Sequence, residues 1–316
     1  MRPTRVLVIK LGALGDMVQA LGPMAAIRRH HSDAHLVLLT TAPFAPLANA
    51  SGWFDEIWCD TRPSLWNLPA VLALARRLNA GQFARVYDLQ TSDRSGFYFR
   101  LMGPPFGRRP EWSGIARGCS HPHANPGRDA MHTHERQAEQ LAMAGVGEAP
   151  RVDLSWLAAD VSRFALPVPY VLMVPAGAAH RPAKRWPADH YGQLAARLAA
   201  VGVSTVLLGA ASERATMEAV RARALYARDL SGQTDYAEIA ALARGAVGAI
   251  GNDTGPMHIV AGAGCPALVL FSDASDPALC APRAPADTRP VTVIRKAPLE
   301  ALGVDEVHAA FRRLLR

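Results

Sequence analysis

Residues 247–258 read VGAIGNDTGPMH, an apolar run followed by a polar, glycine-rich loop. Val247–Ile250 has the composition of a buried strand, and Met257–Ala263 has the spacing of a short helix. Gly255 and Pro256 open that helix, since proline is favoured in a first turn. A helix start presents free N–H groups and the positive end of the helix dipole, which together bind anions. The stretch therefore predicts an anion-binding strand–loop–helix unit.

Helix capping alone explains only part of this loop. Asp253 or Thr254 would cap the helix well. Capping gives no reason for eight polar and glycine-rich residues in a row, Gly251–His258, between two apolar segments. His258 falls one turn into the helix, near the same end. The loop is therefore the strongest candidate for a ligand site.

The second half of the chain repeats this alternation of apolar runs and amphipathic stretches. Strands are predicted at Tyr170–Val174, Thr205–Leu208, Val247–Ile250 and Ala267–Phe271, and helices at Ala188–Ala200, Glu213–Ala224, Tyr236–Arg244, Met257–Ala263 and Val304–Leu315. Strands that alternate with helices form a parallel sheet covered by helices. We therefore expect a Rossmann-like half here.

The first half follows the same rhythm. Strands are predicted at Arg5–Lys10, Leu36–Thr40, Glu56–Cys59 and Val86–Leu89, and helices at Asp16–Arg29, Leu68–Leu78 and Glu135–Ala144. Pro23 is expected to kink or break the first helix, because proline lacks the N–H that the helical ladder uses. The rhythm stops between Gly103 and Thr133, a stretch rich in Pro, Gly, Arg and His. We expect a long irregular loop there, and such loops are usually functional or mobile.

The proline-containing segment 145–169 separates the two series. A length of 316 residues suits two domains at roughly 150 residues each. The sequence therefore predicts an α/β protein with two Rossmann-like α/β/α domains, residues 1–150 and 151–316, that face a central cleft.

The composition restricts the class of protein. Hydrophobic residues make up 50% of the chain and charged residues 19%, which excludes disorder for the bulk of the sequence. No run of 18 apolar residues occurs, so no transmembrane helix is expected. The apolar run Val6–Ile9 is too short for a signal peptide and Lys10 follows it, so we expect the first strand of a cytoplasmic protein.

The cysteines, the net charge and the histidines further restrict the class of protein and the kinds of site that the sequence allows. The cysteines at 59, 119, 265 and 280 are too scattered for a zinc ribbon or a thioredoxin motif and suit a reducing compartment. The net charge of +7 favours anionic partners, although an arginine-rich solvated surface would give the same value. The histidines at 121, 123, 132 and 134 do not share a helical face. A solvated or acceptor-facing loop is therefore favoured over a metal site.

A second glycine-containing loop, LGALGD at Leu11–Asp16, follows the first strand. Gly12 and Gly15 would let the backbone turn tightly and leave room for a ligand at the carboxyl end of the strand. The loop is not G-x-G-x-x-G, and the second strand ends in Thr40–Thr41 without the expected acidic residue, so a nicotinamide-dependent oxidoreductase is disfavoured. Asp16 is either a helix cap or a carboxylate held in the cleft as a general base.

Two further loops follow strands of the second half. Pro175–Pro187 reads PAGAAHRPAKRWP, in which Gly177 would admit a phosphate near the backbone and Lys184 would offer a point charge. An ordinary surface loop with a solvated lysine fits the same letters. Phe271–Pro277 reads FSDASDP and is expected to face the same cleft as Gly251–His258.

Taken in order, these motifs resemble glycosyltransferase family 9, the ADP-heptose:lipopolysaccharide heptosyltransferases. The resemblance rests on LGALGD, then KRWP near 185, then Gly209–Glu213, then GNDTGPMH and the DP turn near 276, and it covers nearly the whole chain. It implies the GT-B fold, with the active site between two Rossmann-like domains. It also implies a cytoplasmic inverting enzyme that needs no cofactor or essential metal, and no D-x-D motif is present.

The resemblance assigns roles residue by residue. Asp16 matches the catalytic base on the N-terminal, acceptor-side domain, and Lys184 matches the lysine that contacts the donor pyrophosphate. The donor set implied in the C-terminal domain is Gly177, Lys184, Glu213, Asp253, Thr254, Gly255, Met257 and His258. The acceptor set, suggested by positive charge, is Arg94, Arg108 and Arg109, for an anionic lipopolysaccharide core at the inner membrane face.

This sequence departs from the family pattern in two places. Met17–Gln19 stands where many members carry a histidine after a valine, and Phe271–Asp273 reads FSD where many carry FGP. A related family 9 enzyme that uses another nucleotide sugar, or a glycan or protein acceptor, therefore remains an alternative. A catalytically silent binding protein is disfavoured, because both Asp16 and Lys184 are present.

Overall fold

The computed structural model describes residues 3–105, 107–285 and 290–315. The chain divides into two compact units, Met1–Pro150 and Arg151–Arg316. Unit 1 contains strands β1 (Arg5–Ile9), β2 (His35–Thr40), β3 (Glu56–Cys59), β4 (Arg85–Asp88), β5 (Glu111–Gly114) and β6 (His121–Pro122). Its helices are α1 (Leu14–Gln19), α2 (Leu21–His30), α3 (Ala45–Ser51), α4 (Leu68–Ala80), α5 (Asp93–Leu101) and α6 (Thr133–Met143).

Unit 2 repeats this pattern. Its strands are β7 (Tyr170–Val174), β8 (Ser204–Leu207), β9 (Arg228–Asp229), β10 (Gly248–Asn252), β11 (Ala267–Phe271) and β12 (Val291–Arg295). Its helices are α7 (Ala188–Ala199), α8 (Arg214–Arg221), α9 (Tyr236–Gly245), α10 (Gly255–Gly262), α11 (Pro277–Cys280) and α12 (Val304–Leu314).

Both sheets are parallel throughout and share one strand order. In unit 1 the order is β3-β2-β1-β4-β5-β6, and in unit 2 it is β12-β11-β10-β7-β8-β9, which is the same sequence of crossovers. The order reverses direction between β1 and β4, and again between β7 and β10. Open parallel sheets bind ligands at such switch points, outside the carboxyl ends of the strands.

The central strands form the core of each unit. Val6, Leu7, Val8 and Ile9 of β1 have no solvent exposure, and all five residues of β11 are equally buried. Strands of a parallel sheet are covered on both faces, which is why their sequences are continuous apolar runs. Each fully buried Val, Leu or Ile side chain contributes about 1.5–3 kcal/mol to the stability of the folded state.

The structure confirms the predicted strands and most helices and corrects two expectations. The stretch 103–133, predicted to be irregular, contributes the fifth and sixth strands of the first sheet, β5 and β6. The predicted helix 16–29 is two helices, α1 and α2, separated at Ala20, ahead of Pro23. Residue 106, within the first of these stretches, lies outside the described residues.

In the described ranges, no helix is long and apolar enough to cross a membrane.

Candidate functional site

Three loops meet at the switch point of unit 2. Lys184 lies in the loop after β7, Asp253 directly follows β10, and Ser275 lies in the loop after β11. The Lys184 Nζ atom lies 2.5 Å from Asp253 Oδ2, and Ser275 Oγ donates to the same oxygen at 2.7 Å. The two charged side chains are mostly buried, 15% exposed for Lys184 and 7% for Asp253. The ammonium is thus held in place, which excludes the alternative of a freely solvated lysine.

Helix α10 begins beside this pair. Its N-cap is Thr254, whose side chain makes no capping hydrogen bond, and Gly255 and Pro256 form the first turn. All three residues are partly exposed. The positive end of an eight-residue helix is therefore presented next to the Lys184 ammonium, an arrangement that favours a bound anion.

The structure corrects the role expected for Met257. Its side chain is fully buried, and its sulfur would stand 2.6 Å from a β-carbon on Gly251. Its N–H donates to the Thr254 carbonyl at 3.1 Å. Met257 therefore packs beneath β10 and is not available to a donor. His258, one residue on, is also buried, with 5% exposure.

Asn252 fixes the geometry of this site, although the sequence did not identify it as a site residue. It is fully buried at the end of β10. Its Oδ1 accepts from the Trp186 N–H and from the Tyr191 hydroxyl, both at 3.0 Å, and its Nδ2 donates to the Pro175 carbonyl at 2.8 Å. One amide thus joins the strand that precedes Asp253 to both ends of the loop that carries Lys184. The sequence feature that could have identified Asn252 is a polar residue at the end of a wholly buried strand.

We expect Asn252→Ala to reduce both stability and donor affinity. The substitution leaves a buried N–H, a hydroxyl and a carbonyl without partners, at roughly 1–3 kcal/mol for each group that finds no other. Urea unfolding and ADP titration of the purified protein measure the two effects. Asn67→Ala, which removes the side-chain cap of α4 in unit 1, is the control: it should lower stability by about 0.5–2 kcal/mol and leave ADP affinity unchanged. Unaltered ADP binding by Asn252→Ala would contradict the positioning role.

Gly177 and Glu213 flank the site without entering the Lys184–Asp253 pair. The Gly177 carbonyl accepts a hydrogen bond from the Arg185 guanidinium, and space for a β-carbon at Gly177 is free of neighbouring atoms. Glu213 follows β8, and its Oε2 accepts from the Ala210 N–H at 2.8 Å. Glu213 therefore closes its own loop at the carboxyl edge of the sheet.

In unit 1, Asp16 lies at the third position of α1 and not at its N-cap, which is Ala13. Its Oδ2 accepts from the Ala13 N–H at 3.3 Å, and the residue is half-buried. Gly12 makes the preceding turn possible: its φ is +119°, and a β-carbon there would lie 2.6 Å from the Phe44 ring. The carboxylate thus has a local structural contact and remains accessible to a ligand.

Two buried ionisable residues lie at the switch point of this unit. Lys10 follows β1 and its Nζ donates to the Leu89 carbonyl at 3.1 Å. Burial lowers the pKa of Lys10, and the Asp16 and Asp88 carboxylates partly offset this effect. Burial raises the pKa of Asp88 to about 6, although the Thr91 and Gln90 N–H groups favour its ionised form. The sequence feature that could have identified Lys10 and Asp88 is a charged residue at the end of an apolar strand.

A cavity of about 440 Å³ lies at the carboxyl ends of β1, β2 and β4. Two arginines and no acidic residue are among the side chains that line it: Leu11, Gly12, Ala13, Thr41, Phe44, Arg62, Gln90, Ser92 and Arg94. Arg94 donates to the Pro63 carbonyl at 3.2 Å, and the Arg62 guanidinium donates to the Leu11 carbonyl. The cavity is therefore positively charged. Arg62 lay in a loop without a recognised motif and was not selected from the sequence.

Arg108 and Arg109 do not belong to this cavity. They precede β5, whose first residue, Glu111, pairs with Arg85 at the start of β4. They therefore lie at the amino edge of the sheet, opposite the carboxyl edge where Arg94 is found. The Arg109 guanidinium stacks on the Phe99 ring at 4.5 Å. The structure therefore separates Arg94 from the other two arginines of the predicted acceptor set, and acceptor binding by Arg108 and Arg109 stays a prediction.

The histidines at 121, 123, 132 and 134 are less exposed to solvent than the sequence suggested. His123 and His132 are buried, with 5% and 6% exposure. His123 Nε2 lies 2.6 Å from Glu139 Oε2 on α6. His123 therefore links the stretch 103–133 to α6, and His132 is the N-cap of that helix, so neither side chain is solvated. Throughout residues 3–105, 107–285 and 290–315, no group of three or more His, Cys, Asp or Glu side chains could hold a metal ion.

Solved structures share this fold over the whole chain. The glycosyl transferase family 9 protein from Veillonella parvula superposes with a TM-score of 0.82 at 18% identity, over 99% of this chain and 97% of that one. The Escherichia coli ADP-heptose lps heptosyltransferase II gives 0.76 at 21% identity, over 99% and 98%. These likenesses confirm the predicted α/β fold of GT-B type, with two Rossmann-like units.

Sequence comparisons give shorter matches at higher identity. Lipooligosaccharide heptosyltransferase 2 of Haemophilus influenzae is 34% identical over 105 residues, 31% of this chain and 30% of that protein. Lipopolysaccharide heptosyltransferase 2 of Escherichia coli K12 is 32% identical over 104 residues, 31% and 30%. The matched stretch thus spans about a third of the length of these relatives.

The sequence model described as Glycosyltransferase family 9 (heptosyltransferase) matches residues 71–297. That range includes the loops after β7, β10 and β11 that bring Lys184, Asp253 and Ser275 together. It covers most of the chain, and therefore the chain belongs to glycosyltransferase family 9, the heptosyltransferase family.

Proposed function

We propose that this protein is an inverting glycosyltransferase that moves a heptose from ADP-heptose to the inner core of lipopolysaccharide. The observation that carries the proposal is the Lys184 ammonium, fixed 2.5 Å from Asp253 beside the start of α10. Relatives support the donor: one solved neighbour is described as the E. coli heptosyltransferase WaaC with ADP. Unit 2 is the proposed donor side and unit 1 the proposed acceptor side.

The site of unit 2 suits a departing nucleoside diphosphate. When the bond between the anomeric carbon and the diphosphate oxygen breaks, negative charge grows on that oxygen. A held ammonium and the positive end of a helix stabilise this charge more in the transition state than in the ground state, which is what accelerates a reaction. Asp253 and Ser275 keep the ammonium in position before the donor arrives, so little reorganisation accompanies binding.

Asp16 is the proposed general base. Its carboxylate takes the proton of an acceptor hydroxyl as that oxygen forms a bond to the anomeric carbon and ADP leaves from the opposite side. One displacement of this kind inverts the configuration at that carbon. The Asp16 carboxylate lies close enough to Lys10 and Arg136 to raise the pKa of each of these two cations.

A panel of nucleotides tests the donor assignment. Thermal unfolding with ADP, UDP, GDP and CDP reports affinity, because a ligand that binds only the folded state stabilises it by mass action. ADP is expected to give the largest rise in Tm. A larger rise with UDP or GDP would replace ADP-heptose by another nucleotide sugar. Transfer of heptose to a Kdo-bearing core acceptor, followed by mass spectrometry, tests the reaction itself.

The cavity of unit 1 is the proposed acceptor site. An inner-core acceptor carries phosphate and carboxylate groups and is held at a membrane surface, and the cavity offers Arg62 and Arg94 without a competing acidic side chain. Guanidinium groups recognise both kinds of anion through paired N–H donors.

We expect Arg62→Gln combined with Arg94→Gln to raise the acceptor KM by roughly 10²–10⁴-fold, since each of the two charged hydrogen bonds contributes roughly 1.5–3 kcal/mol. Donor KM should stay unchanged. The salt dependence of acceptor KM should flatten, because a screened Coulomb attraction is removed. Arg108→Gln with Arg109→Gln is the control, with equal charge loss at the amino edge of the same sheet. Equal effects of the two double variants would mean that net charge alone, and not this cavity, attracts the acceptor.

A further inference from the structure

An exposed apolar surface projects from unit 1 at the start of α4. Trp66 is 93% exposed, Leu68 65%, Leu65 56% and Leu72 42%. We call these four side chains the apolar ridge. They are neighbours, since Leu65 and Trp66 form the turn before α4 while Leu68 and Leu72 lie one helical turn apart. An exposed apolar cluster of this kind marks an interaction site.

The apolar ridge is not needed to form the hydrophobic core of unit 1. Helix α4 buries its opposite face against the sheet through Val71, Leu74, Ala75 and Leu78. The turn is fixed as well, because the Asn67 side chain caps α4 by accepting from the Ala70 N–H at 3.2 Å. The ridge residues are therefore additional to what the fold requires and are held outward by a well-defined turn.

The sequence on either side of the ridge carries charge of one sign. Residues 61–84 contain three arginines and no aspartate or glutamate. Arg62 precedes the ridge and Arg76 and Arg77 follow it on α4, and Arg76 is exposed. Apolar side chains with a tryptophan among flanking arginines match the boundary of an anionic bilayer, where the indole lies at headgroup depth and the guanidinium groups meet lipid phosphates.

We propose that the apolar ridge docks unit 1 on an anionic phospholipid bilayer. The position of the ridge supports this occupant over a protein partner. Arg62, three residues before Leu65, lines the proposed acceptor cavity, and the Asn67 N–H donates to the Ser64 carbonyl at 2.9 Å to bring the two parts of the loop together. This inference rests on the proposed function, because a lipid-anchored acceptor would then reach the cavity from the surface on which the ridge lies.

Vesicle flotation with the full chain tests the docking without donor or acceptor. Wild-type protein is expected to float with vesicles of phosphatidylglycerol and phosphatidylethanolamine and much less with phosphatidylcholine alone. Trp66→Ser with Leu68→Ser should reduce the bound fraction at least several-fold, and its exposed positions should leave Tm unchanged. The matched control is Tyr226→Ser with Leu225→Ser, an equally exposed pair in unit 2, 93% and 73%, which should bind like wild type.

Three results would overturn the proposal. Wild-type protein could fail to float with anionic vesicles, or both serine variants could lose binding equally. Sedimentation could also show a wild-type dimer that the ridge variant alone dissociates, which would assign the ridge to a second copy of the chain. Because these vesicles hold no glycan, flotation can succeed even if heptose transfer is disproved, and it can fail while transfer is confirmed.

An activity comparison separates the bilayer from the acceptor itself. The ridge variant should keep wild-type kcat/KM with a deacylated, water-soluble acceptor and lose activity only when the acceptor is embedded in vesicles. An equal loss with both acceptors would show that the ridge contacts the glycan, which would contradict docking on lipid.

Discussion

Replacing Asp16 by asparagine is expected to lower the rate of sugar transfer by roughly 10²–10⁴-fold, the usual contribution of a general base. ADP affinity should not change, because the proposed diphosphate contacts lie in unit 2. The substitution separates the two roles that Asp16 could have. An asparagine oxygen can still accept from the Ala13 N–H, which Asp16 does at 3.3 Å, so the start of α1 keeps its contact while the basic group is lost.

The control for this experiment is Asp93→Asn, which changes an acidic residue in the first turn of α5 in the same unit. It should leave turnover near the wild-type value. Single-turnover kinetics with saturating donor and acceptor measure the chemical step, and ADP titration measures binding. If Asp16→Asn keeps near-normal turnover, Asp16 acts only at the helix start, and another group must accept the proton.

The sequence predicted the fold well because its signals are local. Buried parallel strands such as Tyr170–Val174 and Ala267–Phe271 are continuous apolar runs, and their predicted bounds match the structure. The strands that were missed are short or partly exposed. β5 reads EWSG and β6 reads HP, and neither contains enough residues for a periodic pattern. β5 joins the sheet by pairing with β4 and β6 by pairing with β5, which is a tertiary effect.

The candidate site was only partly predictable for a related reason. Loops after strands identified Lys184 and Asp253, but their ion pair depends on β7 and β10 being adjacent, which local sequence does not encode. Asn252 acts through hydrogen-bond partners that are distant along the chain, so its role appears only in the fold. Met257 was misassigned because a motif does not say which of its side chains points into the core.

The charge-based grouping of Arg94 with Arg108 and Arg109 took nearness along the chain as nearness in space. Helix α5 runs from the carboxyl edge of the sheet to the amino edge, so Arg94 at its start and Arg108 after its end lie at opposite edges. An element nine residues long spans about 13 Å at 1.5 Å per residue. Conversely, Arg62 is distant from Arg94 in sequence, yet both line one cavity because β3 and β4 end at the same edge.

Lys184→Ala is expected to weaken ADP binding by about tenfold to a hundredfold, since a charged hydrogen bond to a phosphate contributes roughly 1.5–3 kcal/mol. Turnover should fall as well, because the ammonium also stabilises the departing diphosphate. Isothermal titration with ADP and steady-state kinetics measure the two losses. Lys296→Ala is the matched control, since Lys296 is an exposed lysine that directly follows β12 in the same unit, and it should change neither value.

A double variant tests whether the ion pair explains the size of the loss. Lys184→Ala leaves Asp253 with a side chain only 7% exposed and Ser275 still donating to it. A carboxylate that has lost its cation repels the incoming diphosphate, so part of the lost affinity comes from Asp253 and not from the missing ammonium. Adding Asp253→Asn to Lys184→Ala should therefore restore some ADP affinity, whereas Asp253→Asn alone should not improve binding. If the double variant binds ADP no better than Lys184→Ala, the two side chains act independently, and the pair does not prepare the site for the donor.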